Sequence, residues 1–197
     1  MSDKNPQRKG GPVMSILYIL LGLSTAVLLW LILAYNRLVR GRNLVREAWS
    51  GIDVQLKRRT DLVPNLVSTV KGYAAHEKGT LEEVIRLRNL AQNAQGVGET
   101  AQAQGLLGAA LGKLFALAEN YPDLKANANF AQLQATLGEI EEQIQLARRY
   151  YNGAVRNLNI AVESFPSNLI AGRFGFSKAE FFELENAAER VVPSVSF

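Results

Sequence analysis

The sequence predicts an all-α protein. An N-terminal single transmembrane helix continues into an antiparallel long-helix bundle of about four long helices plus a short C-terminal helix. Three observations lead there. An uncharged apolar run fills Val13–Tyr35, apolar residues recur at spacings of three and four through most of the remaining chain, and no stretch shows the strict alternation of a half-buried strand. The expected division is a short polar tail over residues 1–12, a transmembrane helix over 13–35 and a helical bundle over 36–197.

The apolar run reads "VMSILYILLGLSTAVLLWLILAY". As a helix it spans about 34 Å, enough to cross a hydrocarbon core of about 30 Å. It is longer than the apolar region of a cleaved signal peptide and no A-x-A site closes it, so a retained anchor is expected. Tyr18 and Tyr35 lie towards its two ends and Trp30 one turn in from Tyr35, where amphipathic rings favour the membrane–water boundary. Lys4, Arg8 and Lys9 precede the run, and Arg37, Arg40, Arg42 and Arg46 come after it. These four arginines, with Tyr18, Trp30 and Tyr35, are the membrane-interface candidates. The surplus of arginine after the run favours the bundle on the cytoplasmic side. Gly22 and Ala26 form a small-xxx-small pair, which is common in any transmembrane helix.

Beyond the run, Leu38, Val45 and Ile52 are seven apart, with Trp49 and Leu56 in the alternate positions. This stripe is expected to end near "RRTD", where Thr60 or Asp61 caps a second helix with Pro64 in its first turn. That helix runs from about Leu62 towards Ala94, with a break near Lys78–Gly79 where "TLEE" has the capping-box pattern. "QGVGET" at 95–100 reads as a turn. A third helix carries Leu107, Leu111, Leu114 and Ala118; its glycines match no phosphate-loop pattern. Pro122 and Asp123 open the next segment. The fourth helix is the clearest: Phe130, Leu137, Ile144, Tyr151, Leu158 and Phe165 recur every seven residues, interleaved with Leu133, Ile140, Ala147, Ala154 and Ala161. Glu139, Glu142 and Arg149 mark its solvated face.

"FPSNLIAGRFGF", Phe165–Phe176, reads as a corner. Phe165 takes the last core position, Pro166 stops the helix, and Leu169, Ile170 and Phe174 cover the open end of the bundle. Ser177 and Glu180 then form a capping box for a short final helix, with Phe176 and Phe181 as its hydrophobic staple. Any functional use of the corner rests on an exposed patch there.

Chemistry is poorly represented. The absence of cysteine excludes disulfides, thiolate metal sites and thiol nucleophiles, and one histidine, His76, excludes a histidine-rich centre. No nucleophile elbow, zinc-protease helix or P-loop is present. Glu82–Glu83 and Glu141–Glu142 are sequence neighbours whose side chains diverge by about 100° on a helix, poor geometry for acid–base work. The net charge of +4 is modest, and its Arg37–Arg46 cluster comes after an apolar run, which suits lipid headgroups more than nucleic acid. No catalytic residue, cofactor or metal is expected.

Four blocks resemble the LemA family: "AYNRLVRGRNLVREAWSGIDVQLKRRTDLVPNLVSTVKGYAAHE", "LFALAENYPDLKANANFAQLQ", "EEQIQLARRYYNGAVRNLNIAVESFPSNLIA" and the terminal "FFE…VPSVSF". The resemblance implies a bacterial membrane protein with a short tail, one span and a helical bundle. It implies no established enzymatic activity and supplies no catalytic residues. It points to membrane organisation or membrane-protein quality control. The expected partners are the lipid bilayer and other membrane proteins, or further copies of the chain through helix faces, and not nucleic acid.

Overall fold

The computed structural model describes residues 12–183, with side chains from Met14 onward. The expected polar tail falls outside the described residues except for Pro12, as does the terminal stretch from 184 to 197. Within them the chain is helical without a strand: α1 Pro12–Lys71, α2 Lys78–Asn93, α3 Gly96–Ala118, α4 Pro122–Lys125, α5 Ala128–Glu163 and α6 Ser167–Arg173.

The apolar run and the expected first two soluble helix segments form one unbroken helix of 60 residues, α1. At 1.5 Å per residue it is about 90 Å long. Thr60 and Asp61 do not cap a new helix. Thr60 Oγ1 donates back to Lys57 O at 2.9 Å, and Asp61 pairs with Lys57 at 2.9 Å. Pro64 lies inside the helix. Its missing N–H leaves the Thr60 carbonyl without the usual i→i−4 donor. Arg88 of α2 fills that role, its Nε donating to Thr60 O at 3.0 Å. A tertiary contact therefore carries the helix through its proline, and a cap is not needed.

The chain reverses where glycines and the "TLEE" pattern suggested a break, but the capping box does not form. Residue Glu77 precedes α2 without a side-chain cap bond. α3 begins at Gly96, so "QGVGET" is mostly first turn of helix; Gly96 itself has φ +76°. Glu99 accepts from Gln95 N at 3.1 Å. Leu107, Leu111, Leu114 and Ala118 are all buried on α3. α4 is a single turn, and the true cap of α5 is Asn127, whose side chain accepts from Phe130 N at 3.0 Å.

α1 and α5 are the long pair of the bundle and run antiparallel. Moving up α1, Leu38 shares a cluster with Ala161, Trp49 stacks near Tyr151 with centroids 5.5 Å apart, and Arg59 reaches Glu141. Gly41 permits the close approach: a Cβ there would lie 3.3 Å from Leu158 Cδ1. The expected α5 seam is buried at Phe130, Leu137, Ile140, Ile144, Tyr151, Ala154, Leu158 and Ala161, while Glu139, Glu142 and Arg149 are exposed. α2 and α3 close the end far from the apolar run, around Val63, Leu66, Leu107, Leu114 and Phe130. Burying each such side chain contributes about 1.5–3 kcal/mol.

Arg59 is buried, whereas its sequence neighbours Lys57 and Arg58 are exposed. Its guanidinium donates to Glu141 Oε1 at 2.7 Å, to Gln104 O at 2.8 Å and to Gln104 Oε1, tying α1 to α3 and α5.

The C-terminal part departs most from expectation. α5 stops at Glu163, so Phe165 leaves the seam and is exposed instead of packed. Leu169 and Phe174 are exposed too, and only Ile170 of that trio enters the core. The segment expected as a turn is helix α6. From Phe176 to Glu183, where a capped helix was expected at Ser177, the chain is non-helical. It lies as a strap along α5, gripped by two asparagines. Asn159 accepts from Ala179 N at 2.8 Å and donates to Ala179 O at 3.0 Å; Asn152 accepts from Phe182 N at 2.9 Å and donates to Phe182 O at 3.1 Å. Seven helical residues rise about 10.5 Å and three extended residues cover about 10 Å, so the two spacings match. Phe182 is buried beside Trp49, and Tyr151 Oη donates to Glu180 O at 2.8 Å. A helix would have satisfied those backbone groups internally. Here side-chain amides do so, which frees Phe176 and Phe182 to reach the core.

Candidate membrane interface

α1 holds a segment long and apolar enough to cross a membrane, and none of that window is buried in the protein. Tyr18 lies towards the N-terminal end of the segment, away from the bundle and exposed. Trp30 and Tyr35 sit at the other end, where the bundle begins. There Tyr35 meets two rings of the corner edge-on, Phe174 at 5.0 Å and Phe176 at 5.8 Å between centroids. Leu38, Ala161, Ile170, Ala171 and Phe176 form a small core beside them.

The four arginines are exposed, and among the described residues none makes an ion pair. They are not one patch. At about 100° per residue, Arg37 and Arg40 lie about 60° apart and Arg42 and Arg46 about 40° apart, with the pairs on different sides of α1. Together they form a collar. Arg37 and Arg40 line a groove of about 380 Å³ whose walls include Trp30, Leu33, Ala34, Phe165 and Pro166. The Arg42 guanidinium lies over the Phe176 ring, 4.9 Å from its centroid. Arg46 stands apart, about 16 Å along the helix from Tyr35. A headgroup layer is about 5–8 Å thick, and Arg37 and Arg40 lie within about 8 Å of Tyr35 along the helix.

Sequence reasoning assembled the arginines and rings but missed what joins them. Phe174 and Phe176 were read as corner packing and staple, whereas both face Tyr35. The asparagine grip was also missed; its available signal was Asn152 and Asn159, seven apart and each beside the buried seam. Burial, and secondarily the charge of Glu180, push the Tyr151 phenol above its ordinary value. At the far end Tyr121 donates to Glu77 at 3.0 Å, a bond that also raises its pKa, and Asn127 donates to Tyr73 at 2.9 Å. His76 is exposed in the turn between α1 and α2. Among the described residues no group of three or more His, Cys, Asp or Glu side chains is placed to hold a metal.

Comparison with known proteins bears on this arrangement. The chain is 28% identical to Magnetosome protein MamQ 2 and to Magnetosome protein MamQ 1 of Paramagnetospirillum magneticum, in each case over 217 residues, or 95% of this chain and 79% of the relative. It is 26% identical to Protein LemA of Metamycoplasma hominis over 150 residues, covering 75% of this chain and 68% of that one. Residues 48–197, which include the upper part of α1, the rest of the bundle and the strap, match the LemA family. The chain belongs to the LemA family.

Proposed function

We propose that this protein is a non-enzymatic, single-pass module of the bacterial inner membrane that presents helix faces to other membrane proteins or to further copies of itself. On this reading it is an interaction or scaffold element in membrane organisation or membrane-protein quality control. The observation that carries it is the unbroken α1. One helix runs from the apolar segment through the whole bundle, so no hinge separates anchor from bundle and the faces are held at a set height above the bilayer. Neither the family's description nor the relatives' names state a reaction. Crosslinking of the full chain in native membranes should give discrete higher-mass species; a strictly monomeric, partnerless protein would sink the reading. The excess of arginine just after the span supports the cytoplasmic side for the bundle. A topology reporter fused to Phe197 tests it, and activity of a reporter that works only outside the cytoplasm would reverse it.

A second reading is lipid binding or membrane shaping through the juxtamembrane arginines, favoured by a collar that makes no ion pair among the described residues. Each contributes about 1 kcal/mol near an anionic surface. Replacing Arg37 and Arg40 by Gln should lower the anionic lipid that co-purifies with the full chain. Replacing Lys57 and Arg58 should not, and equal loss in both variants would remove residue-specific binding.

A further inference from the structure

Outside the apolar segment, the three most exposed large apolar side chains among the described residues are Phe165 at 80%, Leu169 at 63% and Phe174 at 60%. All three belong to the corner made by the end of α5 and by α6. Scattered exposed apolar residues are ordinary; a cluster of the largest is not.

The antiparallel register of α1 and α5 sets the height of this cluster. Leu158 faces Gly41 and Ala161 packs with Leu38, so a further turn along α5 brings Phe165 level with Ala34. The groove confirms it, because Phe165 and Pro166 share its walls with Trp30, Leu33 and Ala34. These α1 residues lie in the last two turns of the apolar run. Phe174 contacts Tyr35, the final residue of that run. If the run lies in the bilayer, the corner lies at its surface or within it.

The polar surroundings agree. Arg37 and Arg40 edge the groove, and Arg173 ends α6. Glu163, the acidic residue at the end of α5, is neutralised by Lys178 at 2.8 Å. An apolar patch with a basic rim is the composition of an element that lies in the headgroup–acyl boundary.

We infer that the α5–α6 corner is a second membrane-inserting element: Phe165, Leu169 and Phe174 enter the acyl boundary of the leaflet on the bundle's side, and lipid fills the groove between the corner and Trp30–Arg37. This rests on α1 crossing the bilayer but not on any protein partner. The bundle is then held at two points, the span and the corner, which fixes its rotation about α1 as well as its height. Insertion is confined to one leaflet.

The chain has no cysteine, so single cysteines carry a fluorophore without further changes. The full chain, labelled at Phe165→Cys, Leu169→Cys or Phe174→Cys, is reconstituted in vesicles of phosphatidylcholine and phosphatidylglycerol. Leu23→Cys serves as the span reference and Leu106→Cys, on exposed α3 surface, as the aqueous reference. Spin-labelled lipid should quench the three corner positions nearly as strongly as Leu23→Cys, and aqueous iodide should quench only Leu106→Cys. Corner positions quenched by iodide like Leu106→Cys, with Leu23→Cys protected, would overturn the inference and leave the anchor standing. Quenching of Leu23→Cys by iodide would overturn both. Shielding from both quenchers at the corner would mark a protein contact and overturn lipid insertion. The three positions report independently, so one misfolded variant does not decide the result.

Discussion

The seven-residue register of α5 has a phenylalanine at each extreme, Phe130 near its start and Phe165 just past its end. Phe130 is 3% exposed and Phe165 is 80% exposed. At the Phe130 end, Phe130 shares one core with side chains of α1, α2, α3 and α4, and the Phe115 ring lies 6.1 Å away. At the Phe165 end the described residues supply α1 on one side, the seven residues of α6 and the start of the strap, and these leave the Phe165 ring open. Periodicity tells which face of a helix is apolar. It does not tell whether another element is present to cover that face. Where none is, the same residue type faces whatever surrounds the molecule, and here that is the level of the last turn of the apolar run.

The sharpest test of this contrast is a pair of truncations. Phe130→Ala should lower unfolding stability by about 3–5 kcal/mol, and Phe165→Ala in detergent by no more than about 0.5 kcal/mol. Comparable losses by chemical denaturation would mean the two ends are packed alike.

A second comparison contrasts the middle of the bundle with its surface. Arg59→Ala breaks the link among α1, α3 and α5 and should cost about 3 kcal/mol, while its exposed neighbour Arg58→Ala stays within about 0.5 kcal/mol. Both costs are read from denaturant midpoints.

Among the described residues, the strap is the cover that the end nearer the apolar run recruits from beyond α6. Asn152→Ala and Asn159→Ala each leave a backbone N–H and C=O of the strap without partners, at a local cost of about 1–3 kcal/mol. Hydrogen exchange at Ala179 and Phe182 should speed up by about tenfold for each 1.4 kcal/mol, while α2 and α3 amides are unchanged. Uniform acceleration everywhere would show that the strap unfolds only with the whole bundle.

The smallest effect concerns Pro64. Arg88→Ala should cost about 1 kcal/mol by stranding the Thr60 carbonyl, and less in a Pro64→Ala background, where the helix supplies its own donor. A double-mutant cycle with no coupling would remove Arg88 from that role. The strap also has a pH signature. The folded pKa of Tyr151 is raised, so its contribution is complete below the unfolded value near 10.0 and is lost as pH rises through the folded value. Strap protection, taken relative to the intrinsic base-catalysed exchange rate, should therefore fall in alkali in the natural protein, and Tyr151→Phe should remove that extra dependence.

Much of this was legible in the residues. The apolar run, the all-helical class, the α3 and α5 seams and the family resemblance all rest on patterns local to one segment. The misreadings share a cause. Thr60, Asp61 and Pro64 look like a helix start because caps and prolines are local signals, yet Arg88 from another helix supplied the missing donor. Ser177 and Glu180 look like a capping box, yet Asn152 and Asn159 offered the strap's backbone better-placed partners that also let Phe182 reach Trp49. Arg59 looks like its neighbours Lys57 and Arg58, and only Gln104 and Glu141 on other helices distinguish it.

Residue spacing along one chain is thus enough to set the helices, their apolar faces and the segment able to cross a membrane. Three outcomes needed the assembled bundle: which helix ends stay open, which polar groups are buried with partners, and the standing of Phe165, Leu169 and Phe174 level with the end of the apolar run. Those outcomes depend on which distant residues meet. The antiparallel register of α1 against α5 sets those meetings, and no pattern within either helix alone contains it.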